Sequence, residues 1–401
     1  MAGAAAAAVL ALTMAFFANR DINRLAAHYT LVTLATGLAG TFFLVFLLSA
    51  GLPLAQVFLA FAVILALRFC LRPIVFVVAS AIGLRRTLVL GTALGALPFP
   101  AIALVHGIDV ALLAFCVVSS VAQVFYWTCY HVFFGSLGDS GHRGKQVGAR
   151  ETLGALANVI GPAAGGLMLT HLGPWFAFGT ACAMQIAAIY PLLAVKEPKI
   201  VRRPPAGAFA AAKIGVQLFF IDGWIQSSAA IAWSAVLFSS LGARFDVFGG
   251  VLAAAALAGA LGGMLLGRVM DMGHARRSVW FNAGVLAGGF ALKAMCGGHP
   301  LATVAVAIVT TVFSGLYIPY WMTAAYNAGK LAPCTFRFHF AAEGGWDAGG
   351  VAACLVAAAI CGAGLPLPVI ILLALPAVAV QALLLDARYL VQDRARAMHP
   401  G

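Results

Sequence analysis

From about residue 26 onward the chain is a succession of apolar runs separated by short stretches of Arg, Lys, Gly and Pro. The runs are apolar all round rather than at every third or fourth position, the pattern of helices shielded from water on every side. A bilayer core of about 30 Å takes about 20 such residues per helix. A membrane β-barrel would instead alternate in polarity over segments of about 10 residues. The punctuation predicts twelve spans, at 26–50, 54–79, 87–106, 109–135, 151–171, 174–195, 214–240, 246–267, 278–297, 300–326, 341–363 and 366–386. An even number of crossings returns the chain to the side on which it began.

Composition makes this an integral membrane protein. The 401 residues are 63% hydrophobic and only 9% charged, against roughly 25% charged in a soluble domain. The formal net charge of +12 sits in short loops, so lipid is an expected partner and nucleic acid is not. Of 24 Lys and Arg, twenty fall on the side of the termini and only Arg244 on the other, while Arg68, Arg72 and Lys293 lie within spans. Such asymmetry places both termini in the cytoplasm of a multi-pass cell-membrane protein, with a bacterial inner membrane as the expected location. Lys293 is expected to snorkel outward.

Residues 1–25 read as an N-terminal extension, because residues 1–18 lack the basic start of a signal peptide and the length of a thirteenth span. Residues 26–195 and 214–386 read as two six-helix bundles, joined by a basic, proline-bearing linker at 196–213 and followed by a tail at 387–401. The eight cysteines show no CxxC or Cys/His spacing, so neither a metal nor a disulfide is expected, and no cofactor. With no GxxxxGK(S/T) loop either, the energy for any transport must come from a gradient or from the cargo.

The two bundles repeat one another. Gly83 and Gly273 are 190 residues apart, Arg85 and Arg276 are 191 apart, Glu151 and Glu343 are 192 apart, and Trp127 and Trp321 are 194 apart. Two parallel six-helix halves with these loops resemble the major facilitator superfamily of secondary transporters. The family's loop signature GxxxD(R/K)xGR(R/K) is matched in the second half by Gly267, Asp271, Gly273, Arg276 and Arg277. In the first half Ser80 replaces the acid and only Gly83, Arg85 and Arg86 remain. Arg143, Gly144 and Lys145 resemble the short basic turn after the fourth span. Residues 158–166, NVIGPAAGG, resemble the fifth-span GPxxGG motif through Gly161, Pro162, Gly165 and Gly166.

The resemblance implies an all-α fold of twelve helices in two pseudo-symmetric halves, working as a monomer. It also implies a cytoplasmic gate that joins Arg85, Arg86, Arg143, Arg150, Arg276 and Arg277 to Glu151, Asp271, Glu343 and Asp347. In the family GPxxGG is associated with antiporters that export their cargo. Physically, small residues and proline first make a packing and bending surface, from which Asn158 is the one polar side chain able to reach a cavity.

Ionisable groups inside spans are the sharper chemical signal, since each costs at least about 2.5–3.5 kcal/mol at the bilayer centre. Asp222 and Gln226, four residues apart, are expected to stack on one face of the seventh span. Asp222, Glu343 and Asp347 are the candidates for carrying a coupling proton. Arg68 and Arg72 share a face of the second span; they either hold an anionic substrate or pair with Asp222, Glu343 or Asp347. Tyr126, Trp127, Tyr130 and His131 on the fourth span, echoed by Tyr320 and Trp321 on the tenth, suit two aromatic walls of a substrate cavity, or else an interfacial belt.

The reading that follows is a secondary active transporter of a small molecule, working by alternating access and coupled to protons, with export preferred over uptake of an organic anion. A membrane-embedded enzyme using His131 is the competing class. It lacks an HxxxD-like pair, a metal cluster or a phosphate loop. A transport-inactive sensor has only Ser80 in its favour.

Overall fold

The computed structural model describes residues 19–137, 143–197, 205–270, 275–314 and 317–398. Among them every regular element is helical, and the segments form twelve rods. In the first half these are α1 (Arg20–Ser49), α2 (Leu54–Ile82), α3 (Leu84–Ala103), α4 (Val110–Leu137), α5 (Arg143–His171) and α6 (Pro174–Leu192). The second half begins with α7, made of Lys213–Ile225, a π-helical turn Gln226–Ala230 and Ile231–Ser240. It continues with α8 (Phe245–Met270), α9 (Ala275–Met295), α10 (Pro300–Ser314 and Tyr317–Leu331), α11 (Thr335–Gly362) and α12 (Leu367–Leu372 and Ala374–Met398). Nine helices among the described residues are long and apolar enough to cross a membrane.

Local chemistry sets the ends. Asn19 caps α1 by accepting a hydrogen bond from the Ile22 amide at 3.1 Å, and its own amide donates to the Leu137 carbonyl at the end of α4. Gly83 alone joins α2 to α3, at a φ of +91° that a side chain would strain. Several helices begin earlier than the apolar runs predict, α5 at Arg143 rather than 151 among them. Arg20 and Arg24 lie in the first turns of α1, and α11 starts at Thr335 rather than 341 because Arg337 and His339 are buried inside it. A boundary placed at the last charged residue therefore cut α11 short by about two turns.

The run NVIGPAAGG lies in α5 with two of its faces occupied. Gly161 and Gly165, one turn apart, meet α1: a side chain on Gly161 would stand 2.8 Å from the Gly37 Cα, and one on Gly165 would strike the Leu38 carbonyl. Pro162 and Gly166, also one turn apart, meet α8 of the other half, where Gly249 lies against the Pro162 carbonyl and Gly166 against that of Phe245. Helix α11 has the same construction. Gly345 and Gly349 press on the α7 backbone at Val216 and Phe220, while Gly350 faces Leu65 of α2 across the halves. Small residues one turn apart let helix backbones touch, which is how helices associate when lipid removes the hydrophobic drive.

The halves also meet through aromatic rings. Toward the end away from the termini, Phe42 of α1 lies 6.3 and 5.8 Å from Phe245 and Phe248 of α8. Toward the termini, Phe76 of α2 lies 5.6 Å from Phe336 of α11, with the Arg337 guanidinium over the Phe76 ring.

Replacing Gly165 with Val should force α1 and α5 apart and lower stability by about 1–3 kcal/mol, read as an earlier thermal transition in detergent. Gly179→Ala on α6, where nothing lies within 4 Å, should be neutral or stabilising by up to about 1 kcal/mol.

Candidate functional site

Helices α2 and α11 run side by side, and each presents two charged residues one turn apart. Arg68 and Arg72 come from α2, Glu343 and Asp347 from α11; all four are buried, Asp347 completely. Arg68 Nη2 lies 3.0 Å from Asp347 Oδ1 and 3.6 Å from Glu343 Oε2. Arg72 donates to Asp347 Oδ2 and stands 4.0 Å from Glu343. Helix α4 supports the arginines from the side, with Gln123 accepting from Arg68 and Thr128 from Arg72, both at 2.9 Å. The cluster lies near the middle of α2, with Arg68 about 21 Å along from Leu54 at 1.5 Å per residue.

Two extensions leave this core. Toward α7, Trp346 places its ring 5.2 Å from the Arg68 guanidinium carbon and donates its indole N–H to Asp222 Oδ2 at 2.8 Å. Toward α4 and α10, His131 puts Nε2 3.3 Å from Glu343 Oε1 and Nδ1 2.8 Å from the Tyr326 hydroxyl. His131 is stacked between Trp127, at 5.6 Å, and His339, at 5.8 Å. A continuous polar chain thus runs from Arg72 through Glu343 and His131 to Tyr326.

With His131 neutral, the two arginines and two carboxylates balance. A buried ion pair adds little net stability over an apolar pair, but removing one partner strands a buried charge and costs about 3–5 kcal/mol. The arginines belong to one half and the carboxylates to the other, so the cluster bridges the two.

Several sequence-derived expectations change here. Glu343 and Asp347 pair with Arg68 and Arg72 rather than with loop arginines, since the longer α11 carries them deep into the membrane-spanning part. Asp222 joins the network through Trp346. Gln226 follows Asp222 by one helical turn, its backbone amide donating to the Asp222 carbonyl, and lines a separate cavity beside α9 and α10. The α4 aromatics divide by face. Tyr126 and Tyr130 pack on His28 and Tyr29 of α1, at 5.4–6.1 Å, while His131 reaches Phe219, Tyr326 and His339 of the other half. Trp321 packs edge-on to Phe219 inside the second half, at 5.2 Å.

The expected gate arginines also have partners elsewhere. Arg85 donates to the Leu193 and Val195 carbonyls at the end of α6, and Arg150 is buried over the rings of Tyr29 and Phe134. Arg86, Arg277 and Asn158 are exposed. Asp271 and the side chains of Arg143, Glu151, Arg276 and Tyr320 lie outside the described residues. Sequence reasoning passed over Gln123, Thr128 and His339, although Gln123 lies just before the aromatic cluster of α4 and Thr128 within it.

The Major Facilitator Superfamily profile matches residues 29–333. The chain belongs to this superfamily. It is therefore a multi-pass membrane transporter of the kind that moves small molecules, not an enzyme. Among solved superfamily structures it is similar to the Escherichia coli fucose:proton symporter FucP, at 12% identity and a TM-score of 0.64 over 92% of this chain and 98% of that one. It is similar to the nucleoside transporter NupG, at 12% identity and 0.65 over 91% and 99%. It is also similar to the human organic anion transporter MFSD10, at 14% and 0.63 over 91% and 99%. No curated protein sequence matches the chain significantly.

If the cluster is a charge-balanced latch, Asp347→Leu and Arg72→Met should each destabilise by about 3–5 kcal/mol. The double variant should recover most of that loss. Thermal unfolding of the four proteins in one detergent measures the cycle.

Proposed function

We propose that the protein is a proton-coupled secondary transporter of a small organic anion. Residues 26–195 and 214–386 would rock as two halves of a single chain, with both termini in the cytoplasm of a cell membrane. The observation that carries this reading is the buried bridge from Arg68 and Arg72 to Glu343 and Asp347. When α2 and α11 separate, each arginine loses a carboxylate in a medium where an unpaired charge is costly. A proton on Asp347 or Glu343 removes the negative partner and leaves a guanidinium that needs another anion. A carboxylate, sulfonate or phosphate on the substrate meets that need in a bidentate geometry that arginine favours.

Proton and substrate then bind together and cross together. Loss of the proton restores the carboxylate, which displaces the substrate from the arginines and re-forms the bridge. His131 supports this cycle through its position, in contact with Glu343 on one side and Tyr326 on the other. Two proteins of similar fold, a fucose:proton symporter and an organic anion transporter, are of the kind this reading describes.

A second reading, export by antiport, rests on Gly161, Pro162, Gly165 and Gly166 and the superfamily exporters in which that motif occurs. Helix packing already occupies all four residues, so the ion bridge carries more weight.

In proteoliposomes under an imposed pH gradient, screened over a panel of organic anions, Asp347→Asn and Glu343→Gln should each reduce gradient-driven accumulation about ten-fold or more. Exchange of labelled for unlabelled substrate should persist in both. Asp222→Asn, which keeps an acceptor for Trp346, should change accumulation by less than about three-fold. Unaltered gradient-driven accumulation in both bridge variants would refute the coupling assignment.

A further inference from the structure

A second polar feature lies apart from the ion bridge. Lys293 sits on α9, two residues before its end, on the side away from the termini. Its ammonium does not snorkel outward. It lies 5.3 Å from the ring of Trp233, a buried residue of α7, and 5.7 Å from that of Phe290. No carboxylate among the described residues accompanies it.

The lysine opens onto a cavity of about 310 Å³ between α7, α9 and α10, within the size range of small-molecule sites. Gln226 and Thr310 are the other polar side chains on its wall; Val285, Phe290 and Phe313 make much of the rest. Along α9 the lining runs from Lys293 back to Val285, roughly 12 Å at 1.5 Å per residue. One end is cationic with two amphipathic neighbours, and the remainder is apolar. An ammonium packed on aromatic rings near a helix end, with no carboxylate beside it, is placed to take an anion from outside the chain.

We propose that this cavity is a second binding site, for an amphipathic monoanion. Its carboxylate or phosphate would sit on Lys293, with Gln226 and Thr310 within the same cavity wall, and its hydrocarbon would lie along Val285 and Phe313. The apolar walls exclude a fully hydrophilic solute, and the lone cation excludes a cationic one. The site lies within the second half and shares no residue with the bridge between α2 and α11, so its occupancy is measured without any proton gradient.

The test is photo-crosslinking with decanoate bearing a diazirine on its chain, on the full protein in phosphatidylcholine nanodiscs, with labelled peptides identified by mass spectrometry. Label should fall on residues 285–293 and 309–313, and unlabelled decanoate should compete it away while decanol does not. Lys293→Met and Lys293→Gln should each lower labelling about ten-fold or more, and Lys293→Arg should retain it. Thermal unfolding of each variant confirms that it is folded. Competition by phosphatidylglycerol at low mole fraction would identify a lipid headgroup as the source of the anion; its failure, with decanoate still competing, would identify a free amphipathic acid. Equal labelling in folded Lys293→Met or Lys293→Gln, or competition by decanol as strong as by decanoate, would overturn the proposal.

Discussion

A charge inside a membrane needs a partner, and in this protein the partners of Arg68 and Arg72 stand on the other half of the molecule. Much of the interior is arranged around that constraint. Helix α4 supplies Gln123 and Thr128 to hold the guanidinium groups from their own side. Helix α11 supplies both carboxylates and the Trp346 ring against Arg68. A buried ion network is a poor way to gain stability, since apolar residues of the same volume do as well. It is a good way to make two rigid bodies sense a single proton or a single anion.

The glycine seams give that network its geometry. Helix α5 touches α1 through Gly161 and Gly165 and α8 through Pro162 and Gly166; α11 touches α7 through Gly345 and Gly349 and α2 near Gly350. In each half, then, one helix binds its own bundle on one face and the opposite bundle on another. Contacts made of backbone and single hydrogens have shape but little side-chain interlock, so they allow close approach without long side chains having to repack when helices shift. The run NVIGPAAGG, costly in an isolated helix, is here the meeting point of three helices.

The twelve crossings, the loop charges and the internal repeat were legible in the sequence because each is a one-dimensional pattern. So was the presence of chemistry at Arg68, Arg72, Glu343 and Asp347, since ionisable residues in apolar runs stand out. Their pairing was not legible, because three explanations competed and only the packing of α2 on α11 chooses among them. The error over Glu343 and Asp347 came from reading Arg337 and His339 as loop residues, when aromatic neighbours such as Phe76 and Tyr326 let both be buried. The cavity that Gln226 lines beside α9 and α10 was not legible, because it forms only where three helices meet. His339 carried no signal of its own, and its place beside His131 emerges only once α4 and α11 are brought together.

The most direct measurement of the latch is the distance between its two halves as a function of pH. Nitroxide labels at Ile82 and Leu331, both exposed and at the terminus-side ends of α2 and α10, report separation of the halves by double electron–electron resonance in nanodiscs. If the bridge holds the halves together and a proton releases it, acidification should move population from short to long distances, and Asp347→Asn should favour long distances already at neutral pH. A distance distribution indifferent both to pH and to Asp347→Asn would contradict a role for the bridge in holding the halves.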